Sequence, residues 1–212
     1  MYFCYAALVS PPPADTRSSR KRAAILQAAT GAFRDEGYDN ASMDRIAERA
    51  SVSKRTVYNH FGSKEALFQA VIEHHIQQVQ ALTTVRWDPE RSLEAQLGDF
   101  ARSKATVADN PAWMGLLRVV LGAFIRDPEL ARQTALRADH GEDALVRWLE
   151  AAHAAGRLQV ADPGRAAEQF WALVKGMLFW PQVFQLSPER TREERDAIIG
   201  DLVETFLCRY RT

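Results

Sequence analysis

With 212 residues, 47% of them apolar, the chain has room for one larger domain or two small ones around a buried core. Its 27 Lys plus Arg balance 27 Asp plus Glu, a net charge of zero that argues against a general nucleic-acid coat. No stretch reaches the roughly 20 uninterrupted apolar residues of a membrane span, and Cys4 and Cys208 stand too far apart for a CxxC or Cys/His metal pattern. We therefore expect a cytoplasmic protein with no membrane partner, no structural metal and no cofactor.

Charge is distributed unevenly. Residues 1–70 hold 10 basic and 7 acidic side chains, a net of +3, which leaves −3 for the remainder. The chain opens on an apolar segment without a basic leader that soon meets Pro11, Pro12 and Pro13, so residues 1–16 read as a disordered extension rather than a signal peptide. Arg17, Arg20, Lys21 and Arg22 then begin a long helix whose apolar positions are Ile25, Leu26, Ala29 and Phe33, with Gly37 as its stop.

Ser42 to Lys64 carries two short helix signals with almost nothing between them. Ser42 is a good N-cap, and Ile46, Ala47 and Ala50 share one face. Ser51 and Val52 interrupt that helix. Ser53 then caps a second one from Lys54 to about Phe61, with Val57 and Phe61 on its apolar side. Lys54, Arg55, Thr56, Tyr58, Asn59 and His60 leave the rest of its surface polar or basic. Two short helices across a tight turn, the second exposed and basic, describe a helix-turn-helix reader of the DNA major groove. Lys54, Arg55 and Thr56 sit at its front, where Arg pairs with guanine and Thr meets a thymine methyl.

Ser63 caps the next helix, with Leu67, Phe68, Val71 and Ile72 at helical spacing as far as about Thr83. Beyond it, Asp88-Pro89, Asn110-Pro111, Asp127-Pro128, Asp162-Pro163 and Ser187-Pro188 each place a capping residue before a proline, and predict five helix starts. The segment from Ala166 to Trp180 is apolar nearly all round and ends at Pro181, which breaks or kinks it. The last helix has two apolar seams: Ile198, Leu202 and Phe206, and Ile199, Val203 and Leu207. A subunit interface through Phe170, Val174, Met177, Ile198, Ile199, Leu202, Val203 and Phe206 accounts for both helices. So does a purely intrachain core. No alternating strand pattern occurs, and the fold class is all-α.

The run from Ile25 through Gly37 and Tyr38, Ile46-Ala-Glu-Arg-Ala, Val52-Ser-Lys-Arg-Thr-Val-Tyr-Asn-His-Phe and Gly62-Ser-Lys-Glu-Ala-Leu-Phe68 together resemble the TetR family of transcriptional regulators. The departure is Ser51, at a turn position usually given to glycine in that family. The resemblance implies a three-helix DNA-binding domain over residues 17–65 and a helical ligand-binding and dimerisation domain over residues 66–212. It assigns phosphate contacts to Tyr58, His60 and Lys64, with Ser42 beside the backbone and Arg17, Arg20 and Lys21 near phosphates; Asn59 suits either a base or a phosphate. It further implies a homodimer on a palindromic operator, released by a small, largely apolar effector.

Trp113, Met114, Leu117, Leu121, Phe124, Trp148 and Trp171 are apolar candidates for the effector pocket, and Arg118, His140, Gln169 and Lys175 polar ones, although aromatic residues in a helical domain also serve simply as core. Asp-Pro-Glu-Leu-Ala-Arg from Asp127, Gly-Arg-Leu from Gly156 and Ala-Ala-Glu-Gln-Phe from Ala166 look like the AefR-like subgroup. Enzyme readings find little support. Glu73, His74 and His75 are adjacent rather than at the metal-binding i, i+4 spacing, and there is no Gly-rich phosphate loop and no GxSxG. The competing reading is an all-helical small-molecule-binding or interaction protein without specific DNA binding.

Overall fold

The computed structural model describes residues 16–81, 85–137, 144–186 and 190–212. The expected extension over residues 1–16 lies almost wholly outside them, as do His140 and the Ser187-Pro188 junction. The described residues hold eleven α-helices, one π-helical turn and no strand beyond a single isolated bridge. The chain divides into two compact units, Met1–Val71 and Ile72–Thr212.

In the first unit, α1 (Arg17–Asn40) starts from a reciprocal cap between Thr16 and Ser19, and Gly37 leaves helical geometry at φ 80°. That break is the stop expected at Gly37, and it turns Tyr38 back against Phe33 and Phe68. The Ser42 side chain accepts from Arg45 N to start α2 (Met43–Arg49), and Ser53 accepts from Thr56 N to start α3 (Lys54–Phe61). Between them Ser51 sits at φ 53°. Val52 N donates to Ala47 O and Ser51 N to Glu48 O, the paired bonds of a Schellman closure with Ser51 in the left-handed position. Ser63 caps α4 (Lys64–Ala81) through its hydroxyl to Ala66 N. Ile25, Ala29, Phe33, Ile46, Val57, Leu67 and Phe68 are sealed from solvent. Each of the larger side chains stabilises by roughly 1.5–3 kcal/mol through burial, and the Ala29 methyl by less than about 1 kcal/mol. Phe61, expected in this core, is only half-buried, and the Arg22 guanidinium covers its ring at 5.3 Å.

The second unit is built from the part of α4 beyond Val71 and from α5 (Leu93–Ala108), α6 (Pro111–Arg126), α7 (Pro128–Arg137), α8 (Ala144–Ala154), α9 (Pro163–Val174), α10 (Trp180–Val183) and α11 (Arg192–Tyr210). Three of the five expected Pro junctions open helices: Asn110, Asp127 and Asp162 accept the first free amides of α6, α7 and α9. Asp88-Pro89 does not. Asp88 Oδ1 accepts from Glu90 N to form a turn, and the helix starts only at Ser92, which has its own hydroxyl cap. The segment broken at Pro181 runs as α9, then a π-helical turn over Lys175–Phe179, then α10.

One core joins α5, α8, α9 and α11 around Leu97, Phe100, Leu145, Trp148, Leu149, Phe170, Leu202 and Phe206. At its edge the buried Gln96 accepts from Trp148 Nε1 at 2.9 Å and from Asp88 N at 2.9 Å, while its amide donates to Asp88 O and Arg91 O. The α8 end closes on Gly156 at φ 69°, and Gln159 N donates to Tyr210 O, which ties the chain end to this turn. No described helix is long and apolar enough to cross a membrane.

Candidate functional site

The face expected to read DNA is the outer side of α3. Val57 is fully buried and fixes the rotation of the helix, so Lys54, Arg55, Tyr58 and Asn59 are exposed, and Thr56 and His60 half-buried. Arg55 has no ion-pair partner among the described residues, and its guanidinium is open to a ligand. Thr56 Oγ1 shares a 2.8 Å hydrogen bond with Ser53 Oγ, which links its rotamer to the cap. Lys54 is less free. Its ammonium pairs with Asp44 of α2 at 2.8 Å, and that hydrogen bond raises the Lys54 pKa above the ordinary lysine value. Both partners are exposed, so the pair is worth little and a phosphate can compete for the lysine.

Lys64, expected to clamp phosphate, is turned into the unit. Its Nζ donates to Asp39 O at 3.0 Å and Ala41 O at 3.2 Å, and lies 4.7 Å from the centre of the Tyr38 ring. The residue closes the loop between α1 and α2, two backbone carbonyls that sequence spacing does not bring to mind. The Ser42 hydroxyl oxygen is engaged as the cap of α2, while its own proton stays available to an acceptor. Arg17 and Arg20 are exposed and Lys21 half-buried along the start of α1. Arg22 supports Phe61, a role its place in a basic run did not reveal.

The residues expected to line an effector pocket fall into two groups. Trp113, Met114, Leu117 and Leu121 of α6 pack with Ala108, Val183 and Phe179. Arg118 lies beside them, but its guanidinium is taken by the carbonyls of Val183 at 2.8 Å and Gln182 at 3.2 Å, and Phe124 is half-buried. Trp148 belongs to the other core, closed by its bond to Gln96, so it is a packing residue rather than a pocket wall. Trp171 packs against that same core under the Lys104 ammonium, Gln169 is on the surface accepting from the Tyr210 hydroxyl, and Lys175 is exposed at the π-helical turn. None of these residues lines the two described surface grooves. The larger, of about 1000 Å³, runs between α5 and α11, and a second of about 640 Å³ lies around Val85 to Arg91.

The expected interface residues need a larger correction. Phe170, Val174, Leu202 and Phe206 are buried within the chain, and Ile199 and Val203, also largely buried, form part of the floor of the groove between α5 and α11. Their apolar seams face α5 and α8 as well as each other. Ile198 is half-buried, and Met177 stays exposed at 36%. Beside Met177 the structure exposes apolar side chains that periodicity missed: Trp180 at 36% and Phe184 at 60%, stacked at 5.9 Å. A straight helical wheel misplaces them because the π-helical turn shifts the phase after Val174.

Comparison with known proteins covers both units. Residues 25–71 match the model of bacterial regulatory proteins of the tetR family, and residues 95–212 match the AefR-like transcriptional repressor carboxy-terminal domain. A TetR family transcriptional regulator from Pseudomonas syringae pv. tomato DC3000 superposes with TM-score 0.73 at 40% identity, covering 91% of this chain and 97% of that one. The flavonoid-responsive regulator FrrA gives TM-score 0.73 at 32% identity over 91% of this chain and 98% of its own. The transcriptional activator FasR from Mycolicibacterium smegmatis is 32% identical over 59% of this chain, and the match spans 57% of its length. Catalysis is not the business of such regulators, and matches over both units lead to one assignment: the chain belongs to the TetR family of ligand-responsive, DNA-binding transcriptional regulators.

Proposed function

We propose that this chain is a cytoplasmic repressor that binds a palindromic operator as a homodimer and is released by a small, largely apolar effector. Residues 17–65 form the reader, and residues 66–212 the regulatory and dimerisation part. The observation that carries the reading is the outer face of α3, where a buried Val57 leaves Arg55, Tyr58 and Asn59 open and Thr56 at their side. Arg55 and Thr56 read base edges, whereas Tyr58, His60, Ser42, Lys54, Arg17, Arg20 and Lys21 meet phosphates. A dimer sets two such helices into successive major grooves, about 34–36 Å apart.

The dimer seam is assigned to the exposed apolar residues Met177, Trp180 and Phe184, with the half-buried Ile198, in place of the buried residues of the same helices. The effector binds among the apolar side chains of α6 and α10, and changes reader spacing by a coupling of roughly 1–3 kcal/mol. FrrA is by name responsive to flavonoids, which supports an aromatic effector class here. FasR is by name an activator, so the sign of regulation needs its own readout.

Footprinting on the DNA upstream of the chain's own gene, with a promoter reporter in the same strain, tests the reading. A protected palindrome and a reporter that rises on deletion of the gene are the expected results. No protected site at any promoter would leave the non-DNA-binding alternative standing.

A further inference from the structure

Two tryptophans of the second unit make opposite use of their indole N–H. Trp148 is buried in the main core and donates to Gln96 Oε1 at 2.9 Å. Trp113 Nε1 is equally hidden from solvent, yet no acceptor reaches it among the described residues. Buried donors are nearly always paired, so an orphan among apolar neighbours calls for an acceptor from beyond the described residues. The surroundings hold this donor in place. Asn110 Oδ1 accepts from Trp113 N at 3.1 Å and fixes the backbone at the start of α6. The His75 ring of α4 lies parallel to the indole, 5.3 Å between centres and 11° between planes, and limits its rotation. Met114, Leu117, Leu121, Phe179 and Val183 form the apolar cluster against which Trp113 packs.

We infer that the Trp113 indole N–H is the polar anchor of the effector site, and that the effector is a largely apolar organic molecule bearing a carbonyl-type acceptor oxygen. The inference rests on the effector reading above and adds the group that selects the ligand. A fixed donor in an apolar setting favours a ligand that satisfies it and penalises the analogue of the same shape without the oxygen, which leaves the N–H unpaired. Preorganisation by the Asn110 cap and the His75 stack lowers the entropic cost of forming that bond.

The test uses the full chain labelled with ¹⁵N, in which each indole N–H gives its own signal. Trp113 is identified by the signal lost in Trp113→Phe, or by contacts to the His75 ring in the wild-type protein should that variant fail to fold. Two matched pairs of probes are titrated: 2-acetylnaphthalene against 2-ethylnaphthalene, and 1-tetralone against tetralin. The ketones are expected to move the Trp113 proton downfield while Trp148, already paired, stays still. Trp113→Phe should weaken the ketones about three- to tenfold and leave the hydrocarbons unchanged. A Trp113 signal that neither ketone moves, or a ketone and hydrocarbon that bind wild type alike, overturns the anchor. Operator release is followed in the same titrations by fluorescence anisotropy of labelled DNA. A ketone that moves Trp113 but leaves DNA bound supports the anchor and rejects the effector reading. A compound that releases DNA without touching Trp113 rejects the anchor and keeps the effector reading.

Discussion

Arg55 and Lys64 are both basic residues of the reader unit, and the structure separates their work. Arg55 is exposed with no ion-pair partner among the described residues, whereas Lys64 donates to two carbonyls and sits over Tyr38. Arg55→Ala should cost about 1–3 kcal/mol on the cognate operator, relax its specificity and leave the melting temperature unchanged. Lys64→Ala should instead lower the melting temperature of the free protein, by roughly 1–3 kcal/mol of stability, before any DNA is added. Gel shifts on cognate and scrambled duplexes beside thermal melts separate the two; equal melting temperatures would show that the inward bonds of Lys64 hold nothing together. Glu94 gives a test by pH. The Arg211 hydrogen bond, then its own backbone amide, hold its pKa below the ordinary 4.5. A depressed carboxylate stabilises above its unfolded pKa and loses that contribution as pH falls through the folded value. Melts of wild type and Glu94→Gln should therefore differ at about pH 6 and converge towards about pH 3. The caps at Ser42 and Ser53 were legible because a cap is chemistry within four residues. The partners of Lys64 lie some two dozen residues upstream, and only the folded chain brings them together.

The turn between α2 and α3 shows how closely an element can be read from its sequence. The family resemblance put Ser51 at a turn position usually given to glycine, and it sits at φ 53° within a Schellman closure. Because a side chain in that region costs about 1 kcal/mol, Ser51→Gly should raise the melting temperature without altering the operator preference. Chemical denaturation of the two proteins measures it, and a glycine variant no more stable than wild type would mean that the closure carries no strain. The proline junctions were legible where the capping residue had a helix to start, at Asn110, Asp127 and Asp162. Asp88 has the same local signal, but Gln96 claims its backbone N–H and C=O and holds it in a turn. Apolar periodicity located α9 and α11 but not what covers them. Leu202 and Phe206 answer to the intrachain core, and a pattern of burial is silent on whether the neighbour belongs to the same chain.

For the whole molecule, the exposed Met177, Trp180 and Phe184 replace the buried seam as the assigned contact between subunits. Trp180→Glu should yield a monomer by sedimentation at micromolar concentration, with operator affinity falling far more than affinity for a half-site. A Trp180→Glu dimer of wild-type stability would remove this assignment. Operator binding should also weaken steeply with salt, by roughly 0.9 log units per neutralised phosphate for each tenfold rise. The near-neutral net charge of the chain makes that slope a property of the reader rather than of the molecule at large. The five residues Lys175–Phe179 deserve a last thought as a matter of length rather than of conformation. A π-helical turn accommodates one residue more than the α-helix it interrupts, so everything after it is rotated by about 100° from the phase of α9. Deleting Gly176, whose surroundings are open, would let the helix run through in a single phase and swing Trp180 and Phe184 away from the side they now occupy. If those side chains meet a second copy, a single codon sets the angle at which two subunits join, and with it the half-site spacing that the pair accepts.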